Sequence, residues 1–211
     1  MTTFKSTSPK GVKETKKSTL KRKKILKAAA KIFSQKGYAE ATLAEIGVEA
    51  GTHAGSLYYY FPSKEALVEE VLNIGTSEVE ELVVAAVAAL PAGSSPLDRF
   101  RKAFQVHVSQ MLLKDDFIVA YWKIVDQVPL EIKERHLQQP RNYGIYLQGL
   151  IDDAQQAGQI RQDIDGSMLR LMMVGASIYA LDWYRPTGRL SRLDIANTLI
   201  DMFLNGTGVK T

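Results

Sequence analysis

The chain of 211 residues contains no cysteine, which excludes disulfides, thiolate metal sites and a cysteine nucleophile. Histidine is scarce too: His53, His107 and His136 are scattered without metal-ligand spacing, so neither a metal nor a cofactor is expected. Long apolar runs are missing. The most apolar stretch, residues 168–184, is interrupted by Arg170 and Asp182 and is short for a bilayer span. No apolar signal-peptide core lies near the N-terminus, so the expectation is a cytoplasmic protein without a membrane partner. There is no nucleophile motif, no phosphate-binding glycine loop and no carboxylate pair that helix spacing would bring together, which leaves an enzyme with little support. Sustained apolar alternation of the strand kind is absent as well, and the fold class that remains is all-α.

What is present is sorted charge. Residues 1–36 hold twelve of the 27 Lys and Arg residues and a single acid, Glu14, leaving fifteen basic and 22 acidic residues for the rest. Clustered cations beside a polyanion gain affinity through counterion release, so the basic block is a candidate phosphate-binding surface. Residues 1–17, rich in Lys, Ser and Thr and poor in large apolar side chains, read as a disordered basic arm that either meets DNA phosphates or is a solvated tail. An acidic membrane is a poorer partner, because the charges are not interleaved with an apolar face before Ile25.

Residues 42–67 carry the most local information. Thr42 and Glu45 have capping-box spacing, which starts a helix at Leu43 with Ile46 and Ala50 turned inward. Gly51 allows a sharp turn, Thr52 offers an N-cap hydroxyl, and Leu57 and Phe61 recur at i and i+4 on a second short helix whose outer face is kept small by Gly55 and Ser56. Pro62 ends it, and Ser63 caps the next helix at Lys64 and Glu65. Elsewhere, helices are expected over residues 18–36, 63–90, 97–113, 116–127, 167–184 and 191–205, with two more in 130–158 separated near Pro140.

The 42–67 segment resembles the helix-turn-helix of the TetR/AcrR family of bacterial transcription regulators, whose pattern runs close to T-x-x-x-I-A-x-x-A-G-V-S-x-G-x-L-Y-x-H-F-x-S-K-E-x-L. Thr42, Ile46, Ala50, Gly51, Gly55, Leu57, Tyr58, Phe61, Ser63, Lys64, Glu65 and Leu67 fall at matching offsets. Gly47 stands where the family has Ala, His53 where it has Ser and Tyr60 where it has His, the last two on the expected DNA surface. The resemblance implies an N-terminal three-helix DNA-binding domain over residues 18–62 and a C-terminal helical ligand-binding and dimerisation domain over 63–211, about nine helices in all. It implies double-stranded DNA as partner, with Ala54, Gly55, Ser56 and Tyr58 toward the major groove and Thr42, Thr52, Tyr59 and Lys64 on phosphates, flanked by His53 and Tyr60.

The C-terminal two-thirds resembles the same family's effector and dimer domain less specifically. GQIRQDID and DWYRPTGRLS look like a subgroup of regulators of fatty-acid and sterol catabolism that sense acyl-CoA thioesters, which implies a small, largely apolar effector and a repressor released by it. Pairing of the last two helices with their copies implies a homodimer on a palindromic operator, with Leu171, Ile178, Leu199 and Phe203 at the contact. Phe104, His107, Met111, Tyr121, Trp122, Arg141, Tyr146, Met172, Tyr179 and Trp183 are the candidate effector lining, although side chains of this kind at helical spacing equally fill a core. Gly75, near the middle of the long helix, suits either a bend or close helix packing. An effector-independent or architectural DNA-binding protein shares the basic arm but has no need of so large an apolar C-terminal half.

Overall fold

A computed structural model describes residues 16–206. Among these, all regular structure is helical: α1 (Lys16–Glu40), α2 (Leu43–Glu49), α3 (Ala54–Tyr60), α4 (Lys64–Ala88), α5 (Pro96–Met111), α6 (Asp116–Ile124), α7 (Leu130–His136), α8 (Gln138–Gln156), α9 (Gly166–Trp183) and α10 (Arg192–Asn205). The arm expected over residues 1–17 lies outside the described residues except for Lys16 and Lys17, which belong to the first turn of α1. No described helix is long and apolar enough to cross a membrane.

The ten helices follow the expected ranges, with one break displaced. Pro140 was expected to separate two helices, but the chain breaks at Leu137 and Pro140 sits in the first turn of α8. The first turn is where a residue without an N–H costs nothing, because those amides have no partner inside the helix.

Two apolar cores organise the molecule. The first gathers Ile25, Ala29, Ile32 and Phe33 of α1, Ile46 of α2, Leu57 and Phe61 around α3, Leu67, Val71 and Leu72 of α4, and Phe117, Tyr121 and Ile124 of α6. The α1 members recur at i, i+4, i+7 and i+8, the stripe of a helix with one buried face. The second core joins the later half of α4 to α5, α8, α9 and α10 through Val83, Phe100, Phe104, Met111, Leu147, Ile151, Met173 and Ile200. Apolar packing crosses the expected boundary at residues 62 and 63, since the first turns of α4 and most of α6 pack against α1, α2 and α3.

Gly75 lies where α4 crosses α6. A Cβ built there would stand 2.5 Å from the carbonyl oxygen of Phe117 and 3.0 Å from Cβ of Tyr121. Of the two readings open for this glycine, close packing is the one realised: helix backbones meet where a side chain would hold them apart.

Candidate nucleic-acid interface and effector core

The turn between α2 and α3 is set by local chemistry. Thr42 and Glu45 form both halves of the capping box, fixing where α2 begins. Gly51 takes φ +62°, a left-handed conformation that glycine adopts without steric cost. At Gly47 an added Cβ would lie 3.0 Å from the carbonyl oxygen of Thr52 and 3.2 Å from the amide nitrogen of Ala54. Glycine at this position thus lets the turn fold tightly back over α2. The N-cap of α3 is His53, not Thr52, and it makes no side-chain cap hydrogen bond. The backbone dihedrals place the cap one residue later than the hydroxyl pattern suggested.

Along α3, Leu57 is buried while Gly55, Ser56, Tyr58 and Tyr59 are exposed; Ala54 and Tyr60 are half-buried. Tyr60 packs on the first core and meets Tyr59 edge to face, with ring centroids 5.1 Å apart, so it props Tyr59 outward. Thr42 and His53 are exposed and Thr52 is half-buried beside them. These residues lie at the cap of α2, in the turn and along α3, exposed or half-buried. Lys64 is the exception: its ammonium donates to the carbonyl of Tyr38, lies 4.4 Å from the centre of that ring and is half-buried. Desolvation lowers its pKa from the ordinary lysine value.

Contacts that no sequence pattern announced brace this end. Lys21 donates to the carbonyl of Gly51 at 3.1 Å, tying α1 to the turn. Arg22 pairs with Glu70 and stacks 4.8 Å from the Phe61 ring centre, while Lys31 with Glu49 and Lys36 with Glu45 clamp α2 to α1. Part of the basic block is therefore scaffold.

The expected effector lining does not converge. Phe104, His107 and Met111 are buried on α5, and half-buried Tyr146 packs against the same core. Tyr121 is buried in the first core instead. Trp122, Arg141, Met172, Tyr179 and Trp183 are exposed and do not line the interior of the chain. The reason is helical phase: on α9 the inward residues are Leu169, Met173, Ser177 and Ala180, which leaves Met172, Tyr179 and Trp183 on an exposed flank.

The dimer candidates divide in the same way. Leu171 is exposed, but Ile178 and Phe203 pack partly into the second core and Leu199 into a smaller one formed with α5 and α9. The apolar face that α9 presents outward comprises Met168, Leu171, Met172, Tyr179 and Trp183.

Within the second core, His107 links three helices. Its Nδ1 lies 3.0 Å from the Tyr143 hydroxyl and its Nε2 lies 3.0 Å from Oγ of Ser177. Ser177 donates its one proton to the carbonyl of Val174 at 2.6 Å. Nε2 therefore carries the hydrogen and donates to Ser177, and Nδ1 accepts from Tyr143. Burial pushes the imidazole pKa down to about 4, so the ring is neutral at physiological pH. A separate open groove of about 530 Å³ between α5 and α10 carries the charged side chains Asp98, Arg101, Lys102 and Asp201, unlike this core. Among the described residues no group of three or more His, Asp or Glu could hold a metal ion.

Two family models cover most of the chain. The model for bacterial regulatory proteins of the tetR family matches residues 25–71, and the tetracyclin repressor-like C-terminal domain matches residues 93–207. The chain belongs to the TetR family. A TetR-family relative, the HTH-type transcriptional repressor KstR2 of Mycolicibacterium smegmatis, is 26% identical over 191 residues, covering 88% of this chain and 90% of that protein. Among solved TetR-type structures, AibR in complex with isovaleryl coenzyme A and operator DNA superposes with a TM-score of 0.79 at 22% identity, covering 87% of this chain and 98% of AibR. KstR2 of Mycobacterium tuberculosis gives a TM-score of 0.77 at 22% identity, covering 88% of this chain and 93% of that one. Family and relatives are transcription regulators, not enzymes.

Proposed function

We propose that this TetR-family regulator is a repressor that binds a palindromic operator as a homodimer and is released by a small, largely apolar effector of the acyl-CoA kind. The observation that carries the DNA-binding half is the braced α2–turn–α3 unit, whose projecting helix shows a small, exposed face at Gly55 and Ser56. Ala54, Gly55, Ser56 and Tyr58 approach base edges, with His53 and Tyr60 at the margins; Thr42, Thr52, Tyr59 and Lys64 serve phosphates, Lys64 after leaving the Tyr38 carbonyl. With few long side chains on this face, sequence-dependent DNA shape contributes much of the specificity. The reading as a repressor is supported by the KstR2 relative, and the effector class by AibR, which was crystallised with isovaleryl coenzyme A. The effector enters among Phe104, His107, Met111 and Tyr146, where α5, α8 and α9 must part to admit it. Parting those helices shifts α4, and with it the reading head.

Selection from a random double-stranded DNA library followed by footprinting tests the first half. A short protected palindrome is expected; protection without sequence preference would favour an architectural role. Adding a short-chain acyl-CoA to the selected complex tests the second half, with release expected.

A further inference from the structure

The reading head is joined to the effector core by the continuous helix α4 and by α6. Most of the α6 contact is apolar: Phe117, Tyr121 and Ile124 pack into the first core while Ile118 reaches the second. Apolar contact is non-directional and resists separation better than it resists sliding or rotation. Besides Ser34, which donates to Asp116 at 3.0 Å where α6 begins, the directional contacts sit at the far end of α6. Lys123 donates to two carbonyls of α1, Ser34 at 3.1 Å and Gln35 at 2.5 Å. Gln127, in the turn after α6, accepts from the amide of Tyr38 at 2.8 Å and donates to the Lys123 carbonyl at 2.8 Å. Gly37 makes this possible, because an added Cβ there would stand 2.7 Å from Oε1 of Gln127. Gly37 also turns the chain at φ +84°, so the amide of Tyr38 leaves the α1 ladder and is free for an outside acceptor. Tyr38 then passes the restraint on: its hydroxyl donates to Glu65 at 3.1 Å in the first turn of α4, just beyond the end of α3, a bond that remains when Lys64 leaves the Tyr38 carbonyl for a phosphate.

From this unbroken polar path we infer that Lys123 and Gln127 are positioning residues that fix the angle of the reading head against the rest of the subunit, and so set the distance between operator half-sites that the protein accepts. The inference rests on the homodimeric, palindromic reading. Each base pair added between half-sites moves them apart by about 3.4 Å and rotates them by about 35°. A head held by directional bonds discriminates against that change. One held only by apolar packing adapts to it.

The test uses the full chain and the operator obtained by random-library selection with the wild type, together with versions carrying one base pair more or fewer between half-sites. The variants are Gln127→Met and Lys123→Met, which keep length but remove the polar groups, and Gln127→Glu, which keeps an acceptor for Tyr38. Both side chains are exposed, so the cores are untouched. The ratio of affinities for the selected and altered spacings should fall in both methionine variants by on the order of fivefold or more, the equivalent of at least one net hydrogen bond across the dimer. Affinity for a single half-site should stay unchanged, Gln127→Glu should restore the wild-type ratio, and the Tyr38 amide should exchange faster in Gln127→Met alone among the Gln127 variants. A wild-type spacing ratio in both methionine variants overturns the assignment while leaving the dimeric reading intact. If the wild type selects no paired half-sites, the dimeric reading fails and the assignment falls with it.

Discussion

Two residues show how much a single position decides. Gly75 gives α4 and α6 a backbone contact that no side chain could share, with the Phe117 carbonyl 2.5 Å from the Cβ that alanine would bring. Overpacking of this kind costs about 1–3 kcal/mol. Gly75→Ala should therefore lower the denaturant midpoint, and an unchanged midpoint would mean that the helices part there easily. His107 gives a pH dependence of defined sign. Its folded pKa, about 4, lies below the ordinary 6.5, so between these values the unfolded chain binds the extra proton. Stability is full above pH 6.5 and declines as the pH falls toward 4, by roughly 3 kcal/mol for a shift of this size. His107→Leu should flatten most of that slope while lowering stability at neutral pH, since Tyr143 and Ser177 lose their shared partner. Equal slopes in the two proteins would place the titration elsewhere, with buried His136, also shifted downward by burial, the next group to change.

At the scale of elements, α3 is short, uncapped by any side chain and held from outside. Seven residues cannot sustain a helix in isolation, and its place depends on Leu57 and Phe61 in the first core and on Arg22 stacked against Phe61. This makes substitutions on its outer face informative about DNA alone. An added Cβ at Gly55 would meet nothing within 4 Å inside the chain, so Gly55→Val should melt close to the wild type and yet lose operator binding by collision with DNA. Tyr59→Ala should weaken binding to every sequence by roughly three- to tenfold, the worth of one neutral hydrogen bond. Operator affinity unchanged in both variants would remove α3 from the interface. The capping box of α2, the Pro62 stop and the Ser63 cap of α4 were all legible in the sequence, because each depends on residues no more than three positions apart. The cap of α3 was not, since the backbone of His53 rather than the hydroxyl of Thr52 opens that helix.

At the scale of the whole molecule, the outward face of α9 is the feature that one chain leaves unsatisfied. Met168, Leu171, Met172, Tyr179 and Trp183 lie along one side, and around Gly175 between them an added Cβ meets nothing within 4 Å. An exposed apolar face with a small residue at its centre suits a second helix crossing closely, and a two-fold axis supplies the same face from a partner. The expected contact residues Ile178, Leu199 and Phe203 serve mainly the chain's own cores, so substituting them would test folding instead of association. Leu171→Glu combined with Tyr179→Glu should give a folded monomer with poor operator affinity, read by sedimentation and by binding to the selected DNA. A double variant that still sediments as a dimer would move the interface elsewhere.

The sequence by itself determined the helical class, the reading unit and the side of each long helix that is apolar, because these follow from spacings within one element. It also determined the family, since the pattern over residues 42–67 is local. What it left open was which apolar residues face their own chain. Met172, Tyr179 and Trp183 have the composition of a pocket, and only the phase of α9 against α8 and α10 turned them outward. Tyr121 was assigned to the effector core by type and went to the other core because α6 packs along α1. Lys123 and Gln127 carried no signal at all, being exposed polar residues near a helix end. Their partners Ser34, Gln35 and Tyr38 are almost ninety positions away in sequence, a distance that only the tertiary fold closes.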